Sequence, residues 1–158
     1  MERQSLMNET AKTEALLMQQ SLDSFDYIRS FQIFYIKNRF QSIDHFCKDY
    51  FLLQPFWIRI FGFRFLSKYS LLRSIEASHF QIGTTIGERI IVNRDENEIV
   101  FGNSTMFLDY RLSMIFNDAQ TITVSRGIRL KKPMVKPLYW SFNSINEMFL
   151  KKKLQVVL

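Results

Sequence analysis

A chain of 158 residues is long enough for one domain with a real core. With 47% hydrophobic residues, 16 of them Phe, it is too apolar to be a disordered chain. The net charge of +6 admits acidic partners, but the basic residues are scattered apart from Lys131-Lys132 and Lys151 to Lys153, so no nucleic-acid stripe or motif exists and no nucleic-acid partner is expected.

Residues 1 to 22 are polar and lack the basic start and apolar run of a signal peptide. They read as an N-terminal extension, either mobile or docked on a single domain of residues 23–158. The first strand is predicted over Ser30 to Ile36, an aromatic and β-branched run. Ser42 then offers an N-cap, with Asp44 in the first turn where the helix dipole favours it. Ile43, Phe46, Cys47, Tyr50 and Phe51 follow at helical spacing. Pro55 permits a second helix to start, with Trp57, Ile60, Phe61 and Arg64 along one side. The apolar stretch from Phe46 to Leu72 is cut by Lys48, Asp49, Arg59, Arg64 and Lys68, so it is not a membrane span, and a cytoplasmic protein is the expectation.

From Phe80 the period becomes two. Short strands are predicted over Glu88 to Val92 and Glu98 to Phe101, around the polar turn from Asn93 to Asn97. Thr105 to Phe116 alternates, with Leu108, Tyr110, Leu112, Met114 and Phe116 on one face. After Asn117-Asp118, Thr121 to Leu130 repeats the pattern with Ile122, Val124, Ile128 and Leu130. If both apolar rows face one way, a five-residue loop pairs Phe116 with Ile122, Met114 with Val124, Leu112 with Arg126 and Tyr110 with Ile128. Arg126 is then the one charge on an apolar face. Lys131 to Pro137 reads as a polar loop into a last helix, with Ile145, Met148, Phe149 and Leu154 on its apolar side.

The class is therefore α+β: strand, two helices, a curved antiparallel sheet and a long C-terminal helix. This order resembles the START-like, or birch-pollen-allergen-like, helix-grip fold, in which the sheet wraps the last helix and often leaves an apolar cavity. Glu98-Ile99-Val100-Phe101-Gly102 followed by Leu108-Asp109-Tyr110-Arg111-Leu112-Ser113 is similar to an uncharacterised bacterial family, a domain of unknown function. That family carries Asn-Glu-Ile-x-x-Gly and then Leu-Asp-Phe-Arg-x-Ser. Its Pro-x-Trp helix start resembles Pro55-Phe56-Trp57, and its tail resembles Leu138-Tyr139-Trp140. The resemblance covers residues 24 to 154 and implies a START-like placement. Two departures stand out. The family has Asp and His where this chain has Ser104-Thr105-Met106-Phe107, and a His near Asn146. Any chemistry those residues serve in the family is not expected here, and the resemblance implies a fold without an activity.

No catalytic constellation stands in the chain. His45 and His79 lie far apart, no His-x-x-x-His or Cys-x-x-Cys spacing offers a metal site, and the glycines form no phosphate loop. No cofactor is expected. The single cysteine, Cys47, excludes a disulfide framework and reads as a buried inert thiol, with a reactive cysteine as the alternative. Asp109 and Arg111 share a strand face and suit a solvated cross-strand ion pair, with partner recognition as the alternative. Arg126 must reach water, helix carbonyls, a carboxylate such as Glu147 or Glu98, or the head group of an anionic ligand.

Two functions remain open from sequence. One is a non-catalytic module that binds a lipid-like, apolar or amphipathic small molecule between sheet and C-terminal helix. Tyr110, Leu112, Met114, Val124, Ile128, Met148 and Phe149 would line that site, with Arg126 as polar anchor. The other is a structural or interaction protein, a homodimer or partner-binding chain, that uses the aromatic surface of Phe56, Trp57, Phe63 and Phe65. Peripheral membrane contact through Arg59, Arg64 and Lys68 is a third reading.

Overall fold

The strands Leu108–Asp118 and Thr121–Leu130 organise the molecule, because their alternating sequences have no other way to bury two rows of large side chains. The computed structural model describes residues 7–10, 15–36, 39–53 and 67–157. In chain order these form β1 (Met7–Thr10), α1 (Leu16–Gln20), β2 (Tyr27–Phe34), α2 (Ile43–Leu52) and α3 (Lys68–Ser78). They continue with β3 (Thr85–Ile86), β4 (Arg89–Arg94), β5 (Glu98–Ser104), β6 (Leu108–Asp118), β7 (Thr121–Leu130) and α4 (Val135–Val157). The predicted helix after Pro55, with its aromatic surface, lies outside the described residues.

All seven strands join one curved antiparallel sheet in the order β1-β2-β7-β6-β5-β4-β3. The predicted β6–β7 register holds at all four positions: Phe116 pairs with Ile122, Met114 with Val124, Leu112 with Arg126 and Tyr110 with Ile128. The connection differs from a five-residue loop. Asp118 pairs with Thr121 across a two-residue turn, and a bulge at Asn117 supplies the remaining residue. Both arrangements give the same facing rows. Asn117 still does a turn residue's work, since its Oδ1 accepts from the Thr123 hydroxyl at 2.9 Å.

On one face of the sheet, Phe31, Ile33, Ile99, Phe101, Leu112, Met114, Ile122 and Val124 pack with α2, α3 and the end of α4. The start of α2 follows its sequence: Ser42 Oγ accepts from the His45 amide at 3.3 Å. Asp44 in the first turn pairs with Arg94 on β4 at 2.9 Å, tying helix to sheet.

The second face is also covered, which period-two alternation alone does not reveal. Ala15 and Met18, within the predicted extension, form a smaller core with Val100, and Phe25, Ile28, Val92 and Ile115 pack against it. Thr121, Thr123 and Ser125 on this side of β7 are buried, and Ser125 shares a hydrogen bond with Ser30 at 2.8 Å. Of the mobile and docked alternatives, the described part of residues 1–22 takes the docked one: Met7–Thr10 pairs with β2, and α1 lies on the sheet.

Glu98 fixes α1 in place. Its carboxylate accepts the amides of Leu17 and Met18 at 3.0 and 3.2 Å, as well as the Ser113 hydroxyl at 2.6 Å. Ala15 at the N-cap has no side-chain acceptor, so a carboxylate 80 residues away in sequence supplies the cap. Gly127 serves the same face: a Cβ there would stand 2.5 Å from the Phe25 ring.

Replacing Glu98 with Ala is expected to destabilise the fold by about 2 kcal/mol, the worth of hydrogen bonds to a buried charge. Urea unfolding reads that loss, and hydrogen exchange should locate it at the Leu17 and Met18 amides. Gly127→Ala should cost about 2 kcal/mol through overpacking against Phe25, read as a lower Tm.

Candidate functional site: two cationic centres between sheet and helix

The facing register of β2 and β7 sets Arg29 beside Arg126 on the side that meets α4. Arg126 is 5% exposed and cannot be left to solvent. Its Nη2 donates to Asn143 Oδ1 at 2.9 Å and stands 3.8 Å from Glu147 Oε1. Glu147 also accepts from Arg29 Nε at 3.3 Å and from Asn143 Nδ2 at 3.1 Å. Tyr139 donates to the same Asn143 oxygen at 3.1 Å, and its ring stacks at 4.9 Å on Tyr27. Of the outcomes open to Arg126, internal pairing with Glu147 is realised. Glu98 lies on the opposite face of the sheet and takes no part.

This network sets the rotation of α4. At about 100° per residue, Tyr139, Asn143, Glu147, Leu150 and Leu154 fall on one side, and Tyr139, Leu150 and Leu154 are buried. Met148 falls on the far side and is 46% exposed, as is Ile145 at 44%. The predicted apolar face therefore holds at Leu154 and is corrected at Ile145 and Met148: the polar Asn143 and Glu147 face inward because Arg126 requires them, and Met148 leaves the lining set. Helix α4 also starts earlier than predicted, at Val135, with Pro137 in the first turn where no amide is needed.

The remaining sequence candidates divide. Leu112, Met114 and Val124 are buried within the main core, and Ile128 is 3% exposed. Tyr110 is half-buried against that core, and Phe149 is half-buried on α4. The residues that sequence reading missed are Arg89 and Lys153. Arg89 alternates with Ile91 on β4, so its side chain enters the apolar side of the sheet. Its guanidinium lies 5.6 Å from the Phe51 ring centroid and 5.5 Å from that of Tyr110. It hydrogen-bonds Tyr50, whereas its Nη1 is buried without a hydrogen-bond partner among the described residues. Burial also pushes the Tyr50 hydroxyl up to about 12, so it stays protonated.

Lys153 stands near the end of α4 and is half-buried. Burial, reinforced by the charge of Arg89, brings its amine from the usual 10.5 down to about 7. Among the described residues, neither Arg89 nor Lys153 makes an ion pair with a carboxylate, yet Tyr110, Tyr50 and the charge of Glu88 outweigh burial and hold the Arg89 guanidinium above its usual value. The signal for Arg89 was available in sequence, because Arg89, Ile91 and the strand alternation put it on the core side. Its company from α2 and α4 was not.

Asp109 is a structural charge. It is 3% exposed, accepts from Arg129 at 2.7 Å and Ser104 at 2.6 Å, and lies 3.0 Å from Lys131. Burial alone would raise its carboxyl, but the bonds from Ser104, Lys131 and Arg129 hold it down at about 2. The cross-strand pair is thus with Arg129, and at the Asp109 end it is buried and not solvated. Gly102 and Gly127, opposite Arg111 on either side, leave room for that side chain and for Phe25. Cys47 is buried with Sγ 3.4 Å from Met114 Sδ, and burial pushes its thiol well above the ordinary value, which disfavours a reactive thiolate. Among the described residues no group of His, Cys, Asp and Glu could hold a metal ion, and no helix is long and apolar enough to cross a membrane. Compared with family models, curated proteins and solved structures, the chain matches none.

Glu147→Leu should cost about 3 kcal/mol, because it leaves Arg126 buried with Asn143 alone, and adding Arg126→Met should restore most of that loss. Chemical denaturation of the two variants reads the difference. Lys153 makes a second expectation. Between about pH 7, where the folded amine loses its proton, and the ordinary 10.5 of the unfolded chain, the unfolded state binds the extra proton. Stability from this group therefore rises with pH in that window, and its full cost is present below about pH 7. The Tm advantage of Lys153→Met over wild type should shrink steadily from about pH 7 to about pH 9.

Proposed function

We propose that the protein is a non-catalytic binding module that holds an amphipathic small molecule between the sheet and α4. The observation that carries this reading is Arg89: a guanidinium brought to the apolar side of the sheet, framed by Phe51 and Tyr110, with Nη1 unpartnered among the described residues. An unpaired buried donor costs folding energy, and a ligand that accepts from it recovers that cost on binding. Arg126 is not the anchor in this reading, because Asn143 and Glu147 already occupy it. The chain order and the long closing helix support a helix-grip, START-like placement, and the Glu98 to Ser113 motifs support kinship with the uncharacterised bacterial family. The roles found for Glu98, Gly102, Asp109 and Ser113 are structural, which agrees with a family likeness that brings a fold and no reaction.

A second reading, an interaction protein, has one specific observation in its favour. Leu138, Ile145 and Met148 are 65%, 44% and 46% exposed along the outer side of α4. The aromatic surface around Phe56, Trp57, Phe63 and Phe65 lies outside the described residues, as do Arg59 and Arg64, on which peripheral membrane contact would rest.

Native mass spectrometry of gently purified protein separates the readings. The binding module should retain a small lipid-like mass that Arg89→Gln releases. A ligand-free monomer would contradict it, and a ligand-free dimer broken by Leu138→Asp with Met148→Asp would establish the interaction reading instead.

A further inference from the structure

The outer side of α4 carries a second surface, separate from the centre at Arg89. Leu138, Ser141, Ile145 and Met148 follow one another at intervals of three and four residues, which sets them in one row along the helix. The row is about 15 Å long and lies opposite Tyr139, Asn143, Leu150 and Leu154, which face the sheet. Three of its four members are large and apolar, and all three are exposed. Met134, 80% exposed and four residues before Leu138, extends the row toward the loop that enters α4.

The turn between β5 and β6 adds to the same end. The Lys131 amide donates to the Phe107 carbonyl at 2.9 Å, and the Lys131 amine donates to the Thr105 carbonyl at 2.7 Å. These bonds hold Met106 and Phe107, 65% and 45% exposed, beside the loop that leads into α4. Lys132 Nζ stands 5.6 Å from the Phe107 ring centroid, so a cation and an exposed aromatic ring sit together.

The charges around this apolar row are almost all of one sign. From Lys131 to Leu158 the chain has six lysines, at 131, 132, 136 and 151 to 153, and a single acid, Glu147. Glu147 is turned to the sheet, where it accepts from Arg29 and Asn143. Asp26 answers Lys136 and Asp109 answers Lys131, both from outside the helix. Lys136 and Lys151 stand about 22 Å apart along the axis, and no acidic side chain lies on the outer side between them.

The pattern distinguishes partners. A second copy laid antiparallel along the row would set Lys151 and Lys152 of one chain beside Lys136 of the other, and a parallel copy would set lysine on lysine. An anionic bilayer surface meets every feature. Exposed Leu, Ile, Met and Phe enter between head groups, and lysines at both ends reach the anionic groups on their long stems.

We propose that the outer side of α4, with the Met106-Phe107 turn at its start, is a docking face for an anionic membrane surface. The helix lies flat on the lipid, its apolar row reaches below the head groups, and the sheet stays on the water side. This row is the one that favours an interaction protein, and the proposal gives it a partner without depending on a ligand at Arg89.

The test is co-sedimentation of the full-length protein with vesicles of phosphatidylcholine alone and of phosphatidylcholine and phosphatidylglycerol in equal parts. The mixed vesicles should bind at least tenfold more tightly, and raising salt from about 0.1 M to about 0.5 M should weaken that binding at least fivefold. Leu138→Asp with Met148→Asp should lose at least tenfold on mixed vesicles at an unchanged Tm, since neither side chain is in the core. Lys132→Gln with Lys152→Gln should weaken binding and flatten its salt dependence. Arg89→Gln should bind vesicles as wild type does. Absence of binding to mixed vesicles, or equal binding to both compositions, would overturn the proposal. So would a dimer in solution broken by the Asp pair, which gives the row to a second copy. Retention of an acidic amphipathic peptide in place of vesicles would overturn it in favour of a protein partner. Vesicle binding lost in Arg89→Gln but kept in the Asp pair would place lipid contact at the binding module and overturn the docking face.

Discussion

Burial of the central sheet on both faces is the constraint from which the other features descend. Strand β7 runs between β2 and β6, and every residue from Thr121 to Ile128 except the small Gly127 packs with its side chain out of solvent. A strand in that position cannot leave a charge unanswered on either side. On the helix side, Arg126 draws in Asn143 and Glu147 and so determines which face of α4 turns inward. On the other side, α1 must cover Val100 and Ile115, and a helix that short cannot hold itself; Glu98 caps it from the sheet.

Sequence carried the β-hairpin of β6 and β7 almost completely, because period-two alternation with one face apolar fixes register to the residue. The Ser42 cap and the apolar side of α2 were legible for a similar reason: local hydrogen bonding and helical spacing both pointed to one answer. On α4, Leu154 is buried as its spacing predicts, and what failed was the rest of the face. Hydrophobic periodicity selected Ile145 and Met148, whereas the inward positions are held by Asn143 and Glu147, whose presence is explained only by Arg126 across the interface. Polar residues serving a buried charge are invisible to a rule that scores apolar residues. The covering of the second sheet face was missed because Thr121, Thr123 and Ser125 look like a solvated row, yet they are buried, with Ser125 bonded to Ser30 and Thr123 to Asn117.

The candidate site was legible in part. Tyr110 lies where alternation put it, and Arg126 was correctly marked as a charge on an apolar face. Its partners, however, make it part of the scaffold. Arg89 and Lys153 sit 64 residues apart in sequence, and no local pattern reveals that the charge of one acts on the other. The distinction between these two centres is the substance of the functional reading. One cationic centre is satisfied by the protein and positions a helix. The other carries a buried donor without an acceptor among the described residues and has the chemistry to receive one from outside.

The most direct test is a calorimetric titration of the full-length protein with decanoate, wild type beside Arg89→Gln. Wild type should bind, and Arg89→Gln should lose at least tenfold in affinity, because the buried Nη1 donor finds its acceptor in the ligand. Wild type and variant that bind decanoate equally, or a wild type that does not bind it, would contradict the site at Arg89 on which the account depends.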